Sequence, residues 1–152
     1  DLTSQQTEVE LRMPALLPDD YIPDVNTRLS FYKRIASAKG ENELDEIKVE
    51  LIDRFGLLPP PAQNLLEVAH QRQKATHLGI KRIEVSAQGG YIDFAEQTRV
   101  NPAFLVGLLQ SQPRIYRMDG PIRLRFQIPC ADTAARLKLV SDLLTQLTAN
   151  QL

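Results

Sequence analysis

The apolar residues of this chain keep one spacing from Val25 to Leu78 and another after Gly79. Before that point they recur every three or four positions, as on one face of an α-helix. After it they alternate with polar neighbours, as on a half-buried strand. Later segments return to helical spacing. Hairpins pair antiparallel, and helices arriving in clusters do not build a doubly wound sheet. The expected class is therefore α+β, a mostly antiparallel sheet made from an N-terminal strand and two hairpins, packed with about five helices.

Residues 1–8 are polar and aperiodic and read as a linker or tail ahead of one α+β domain over 9–152. Val9, Leu11 and Met13 alternate with Glu10 and Arg12, a short strand ended by Pro14. The segment ALLPDDYIPD, with Pro18 and Pro23, is a stiff connector. Asp24 then caps a helix whose stripe is Val25, Leu29, Tyr32 and Ala36, widened by Phe31 and Ile35. A second helix, from about Asn42 to Phe55, buries Leu44, Ile47, Leu51 and Phe55 and stops at Gly56. A third begins at the prolines 59–61 and ends at Leu78-Gly79. Ile83 and Val85, a Gly89-Gly90 turn needing positive φ, then Ile92 and Phe94 form the first hairpin. Asn101-Pro102 starts a helix buried through Phe104, Leu105, Leu108 and Leu109. The second hairpin runs from Ile115 to Phe126 around Asp119-Gly120, with Pro121 blurring its register. A last helix, from about Asp132, carries Leu137, Val140, Leu144 and Leu147.

At 152 residues folding hides roughly 70% of the unfolded chain's surface, enough for a core without metal or disulfide staples. A net charge of -1 argues against a duplex-DNA binder working by whole-domain charge. There is no apolar run of membrane-spanning length and no signal-peptide pattern. The start at Asp1 fits a segment of a longer polypeptide. The single cysteine, Cys130, reads as an inert buried thiol and fits a reducing, cytoplasmic setting. His70 and His77 are two turns apart, too far to share one ion, and read as solvated. Neither a P-loop, nor GxGxxG, HExxH, paired CxxC or GxSxG occurs, so no cofactor, metal or catalytic residue is assigned.

Carboxylates carry more information. Six of the 19 acids lie between Glu41 and Asp53, against one base, Lys48. With Leu44, Ile47 and Leu51 facing inward, Glu43, Glu46, Glu50 and Asp53 form an outward stripe at spacings of three and four. Two readings stay open for it: a solvated face, or an acidic strip that docks a basic partner. A basic set, Lys81, Arg82, Arg114, Arg117, Arg123 and Arg125, offers an alternative function. Arg123 and Arg125 project from one strand face that could meet nucleic-acid phosphates, with Tyr91 or Tyr116 stacking a base.

The order of residues goes further than spacing. Tyr21-Ile22-Pro23-Asp24, Arg28-Leu29, Phe31-Tyr32-Lys33-Arg34 and the run Glu50 to Gly56 followed by Leu58-Pro59 closely resemble the C-terminal domain of the bacterial transcription-repair coupling factors, the Mfd family. The likeness continues more loosely through Gly89-Gly90, Asn101-Pro102 and Asp119-Gly120, and fades after Ile128. It implies a non-catalytic, autoinhibitory domain of a larger ATP-dependent DNA translocase that displaces stalled RNA polymerase and recruits excision repair. The domain would dock on the UvrB-like module of its own polypeptide, mask the UvrA-binding surface and restrain the motor. UvrA and RNA polymerase are then indirect partners, with no membrane and no direct nucleic-acid contact. The resemblance places Glu50 and Asp53, with Arg54 beside them, in that contact, and Glu46 shares their stripe. Tyr32 falls in the core stripe, while Arg28 and Arg34 are expected to hydrogen-bond the connector aspartates.

Overall fold

Helices α1 (Val25–Ser37), α2 (Glu41–Phe55) and α3 (Pro60–Leu78) precede most of the sheet, as the change of period requires. The computed structural model describes residues 6–152. It divides the chain into two compact units, Pro14–Gln73 and the remainder formed by Asp1–Met13 with Lys74–Leu152. Of the polar stretch 1–8, residues 1–5 lie outside the described residues. Thr7 is buried, its hydroxyl donating to the Ile80 carbonyl at 2.5 Å, and Glu8 opens the first strand.

The Pro14–Gln73 unit is closed by Leu17, Ile22, Phe31, Ile35, Leu44, Ile47, Leu51, Leu58 and Leu66. Asp24 caps α1, accepting from the Thr27 amide at 2.8 Å. The buried side of α1 is Phe31 and Ile35, whereas Val25 and Leu29 are 56% and 54% exposed. That corrects the expected stripe: two apolar faces compete on this helix, and the one carrying the large aromatic ring wins the core. Tyr32 is half-buried and accepts a hydrogen bond from the Leu17 amide at 2.7 Å, pinning the connector to α1. Arg28 donates to the Ile22 carbonyl at 2.7 Å, not to an aspartate.

In the other unit, β1 (Glu8–Glu10), β2 (Ile80–Ser86), β3 (Gly89–Phe94), β4 (Tyr116–Met118) and β5 (Arg123–Gln127) form one sheet in the order β1-β2-β3-β5-β4. All pairings are antiparallel except β1 with β2, which is parallel and places Val9 opposite Ile83. Five helices and a largely antiparallel five-stranded sheet give the expected α+β class. Register aligns Ile83, Ile92 and Leu124 on one side of the sheet, with Val85 and Phe126 beside them, and all five are buried. Leu108 of α4 (Pro102–Ser111) and Val140, Leu143, Leu144 and Leu147 of α5 (Thr133–Ala149) are buried in the same unit. The Arg136 guanidinium on α5 donates to the carbonyls of Leu11, Arg12, Cys130 and Ala131 at 2.9–3.2 Å. One side chain thereby holds the segment after β1 against the start of α5.

The two turn glycines serve different needs. Gly89 adopts φ 119°, as a tight turn demands. Gly90 is not in the left-handed region; a Cβ there would stand 1.8 Å from the Glu84 carbonyl oxygen, so strand proximity requires glycine. Cys130 is buried and its thiol donates to the Ser86 carbonyl at 3.0 Å. His77 is exposed, but His70 is half-buried with Nε2 3.5 Å from Asp45 Oδ1, so only one of the two histidines is fully solvated.

Candidate protein-docking site

The Pro14–Gln73 unit holds seven basic side chains against ten acidic ones, and the other unit eleven against nine. Negative charge is therefore concentrated where α2 lies. Leu44, Ile47 and Leu51 fix the inward face of this helix, so Glu46, Val49, Glu50 and Asp53 fall on the opposite side. Glu46 and Asp53 are exposed and have no hydrogen-bond or ion-pair partner among the described residues. Val49 stands between them, 58% exposed.

Glu50 is placed differently. Its two oxygens receive Arg34 Nη1 at 3.1 Å and Nη2 at 2.9 Å, a bidentate grip across from α1, and Arg54 Nη1 adds a third bond at 3.2 Å. The Arg34 hydrogen bonds hold the Glu50 carboxyl below its ordinary value, with Arg54 contributing further, and Glu50 raises Arg34 in return. Arg34 was expected to serve the connector aspartates; a planar fork meets a carboxylate of matching width more favourably, and Glu50 supplies it. Both guanidiniums also lie near aromatic rings. Arg34 Cζ is 5.0 Å from the Phe31 ring centre, and Arg54 Cζ is 5.4 Å from Phe31 and 5.0 Å from Phe55. Such contacts are worth about 0.5–1 kcal/mol at exposed sites. Beneath them Phe31 meets Phe55 edge-on at 6.0 Å, and Tyr21 donates to the Gly56 carbonyl at 2.7 Å, fixing the end of α2.

Glu46, Glu50, Asp53 and Arg54, the residues expected at the contact, share one face of α2 but differ in their tasks. Glu46 and Asp53 are open carboxylates, while Glu50 and Arg54 belong to a four-group cluster with Arg34 and Phe31. Glu43 accepts from the Lys39 amide at the helix entrance. Val49 was missed, although its offset from the core positions 44, 47 and 51 already places it outward.

The basic strand face is also rearranged. Arg123 grips Asp93 through Nε at 2.7 Å and Nη2 at 3.0 Å, and its Cζ sits 3.8 Å above the Tyr91 ring. Arg125 pairs with Asp119 at 2.6 Å, and Arg82 with Glu8 and Glu84. Tyr91 is covered by Arg123 and Tyr116 is buried. The two rings expected to stack a base are therefore both occupied.

Among the described residues no group of three or more His, Cys, Asp or Glu is arranged to hold a metal, and no helix is long and apolar enough to cross a membrane. The fold and its surfaces define an α+β domain with an acidic helix face in one unit and a mixed-charge sheet face in the other. The TRCF domain matches residues 11–105, and the chain belongs to that family. It is similar to the transcription-repair-coupling factor of Escherichia coli (strain K12), 64% identical over 150 residues covering 99% of this chain and 13% of that protein. The factor of Haemophilus influenzae is 51% identical over 149 residues, 98% of this chain and again 13% of the relative. This chain thus spans about an eighth of the length of these curated relatives. The crystal structure of a C-terminal domain of transcription-repair coupling factor superposes with a TM-score of 0.78 at 24% identity, over 98% of both chains, and shares the fold.

Proposed function

We propose that this chain is a non-catalytic regulatory domain of a transcription-repair coupling factor, acting in DNA repair through docking rather than chemistry. It latches onto the UvrB-like module of its own polypeptide, hides the surface that UvrA would bind, and restrains the DNA translocase until RNA polymerase is engaged. The reading carries a cytoplasmic location with it and needs no cofactor in this segment. Its main support is the outward face of α2, where Glu46 and Asp53 stand open on either side of exposed Val49. Membership of the family agrees with it. Exposed ion pairs contribute about 0–1 kcal/mol each, so a few of them hold a domain reversibly.

The test is calorimetric titration of this chain with the UvrB-like region over a range of salt. Binding should weaken as salt rises, and Glu46→Lys with Asp53→Lys should abolish it. Salt-independent binding that survives both reversals would sink the reading. The alternative, nucleic-acid binding by Arg123 and Arg125, loses support because both guanidiniums already have carboxylate partners.

A further inference from the structure

The side of the sheet opposite the buried Ile83–Ile92–Leu124 row is open and changes sign across its width. Its register row reads Glu10, Glu84, Tyr91, Arg125, Arg117 from the β1 edge to the β4 edge. At the β1 end Glu84 is held below its ordinary value by Arg82 and then Arg12, so it stays charged. At the β4 end lies an open cleft of about 460 Å³, lined by Gln88, Arg114, Arg117, Arg125 and Gln127 together with the turn between β2 and β3. Arg114 and Arg117 are exposed and have no hydrogen-bond or ion-pair partner among the described residues, while Arg125 shares itself between Asp119 and the Tyr91 ring.

We propose that this cleft docks a short acidic polypeptide segment. The unpaired guanidiniums of Arg114 and Arg117 and the side-chain amides of Gln88 and Gln127 line it, donors matched to carboxylates, which arginine forks bind in bidentate fashion, while Arg125 is already engaged by Asp119. The intramolecular pair Arg125–Asp119, a single hydrogen bond from Nε at 2.6 Å, shows one carboxylate already held at the rim. A nucleic acid fits less well on two counts. A stacking platform is missing, since Tyr91 is covered by Arg123 and Tyr116 is buried. A phosphodiester backbone continuing across the face would run toward Glu8, Glu10 and Glu84, three carboxylates against the two guanidiniums of Arg12 and Arg82 that pair with them, whereas a segment with two or three carboxylates ends before reaching them. The proposal does not rest on the docking strip of α2.

The experiment is fluorescence anisotropy of a labelled peptide carrying a Glu-Asp-Glu core flanked by neutral Gly and Ser residues with the whole chain. Chemical-shift mapping on the unsubstituted chain accompanies it. Saturable binding is expected, with shifts centred on Gln88, Arg114, Arg117 and Gln127. Affinity should fall several-fold between about 50 and about 300 mM salt as charges are screened. Joint Arg114→Gln and Arg117→Gln replacement should weaken it at least about tenfold, the scale of lost charge-assisted hydrogen bonds, whereas Lys33→Gln should leave it unchanged. Shifts that cluster elsewhere, or affinity untouched by the double replacement, would overturn the proposal. So would a short single-stranded or duplex DNA that binds more tightly than the peptide through the same arginines.

Discussion

Arg34 on α1 holds both carboxylate oxygens of Glu50 on α2, at 3.1 and 2.9 Å. This one pair sets Glu50, which binds within the domain, apart from Glu46 and Asp53, which stand exposed with no partner among the described residues.

The first consequence concerns pH. Because Glu50 titrates below its ordinary value when folded, its pairing stabilises the native state above the ordinary carboxylate range. That contribution is lost as pH falls through the folded value. A carboxyl-detected NMR titration should place the Glu50 midpoint below the ordinary glutamate range, and Arg34→Gln should move it upward. An unchanged midpoint in Arg34→Gln would contradict the assignment.

Docking and stability should come apart along the same helix. On the docking proposed above, Asp53→Lys should weaken binding to the UvrB-like region while leaving the thermal midpoint within a degree or two, the usual outcome at an unpartnered surface site. Glu50→Lys should lower both, because it sets a third cation beside Arg34 and Arg54. Scanning calorimetry and binding titration on the two variants make the comparison.

Arg136 is the test of how the second unit is tied together. Lysine keeps the charge but cannot reach four carbonyls from one planar fork. Arg136→Lys should cost about 2 kcal/mol in urea unfolding, since the carbonyls of buried Leu11 and Cys130 lose charge-assisted donors.

Two glycines should respond with opposite signs. Gly90→Ala drives a methyl group into the Glu84 carbonyl and should destabilise by about 3 kcal/mol or more. Gly107, within α4, has open space around an added Cβ and no positive φ. Gly107→Ala should therefore raise stability by about 0.5–1 kcal/mol through helix propensity. Thermal melts followed by circular dichroism distinguish the two.

Much of this architecture could be read from local signals. Leu44, Ile47 and Leu51 mark one face of α2 without competition, and Asp24, Asn101 and Asp132 each cap the helix they precede. The failures share a cause, which is that they depend on partners distant in sequence. On α1 spacing points to a stripe through Val25, Leu29, Tyr32 and Ala36 with Phe31 and Ile35 at its margin, and packing instead buries Phe31 and Ile35 and leaves Val25 and Leu29 exposed. Strand β1 is three residues long, and its parallel neighbour lies more than seventy positions away. For the candidate site, the Glu50–Arg54 pair was within reach because both stand on one helix four residues apart. The stronger Arg34–Glu50 pair joins two helices, and spacing along a chain carries no trace of it.

The sign change across the open sheet face has a consequence before any contact is made. Separated charge of this kind exerts a torque, so an approaching charged body is turned by the field within roughly the 10 Å over which ions fail to screen it. An anionic chain would arrive with its orientation already chosen, its end led toward Arg114 and Arg117 and its flank pushed off Glu10 and Glu84. The face would thus act as a compass for encounters, and its influence on association rate would vanish in strong electrolyte while the fold stayed the same.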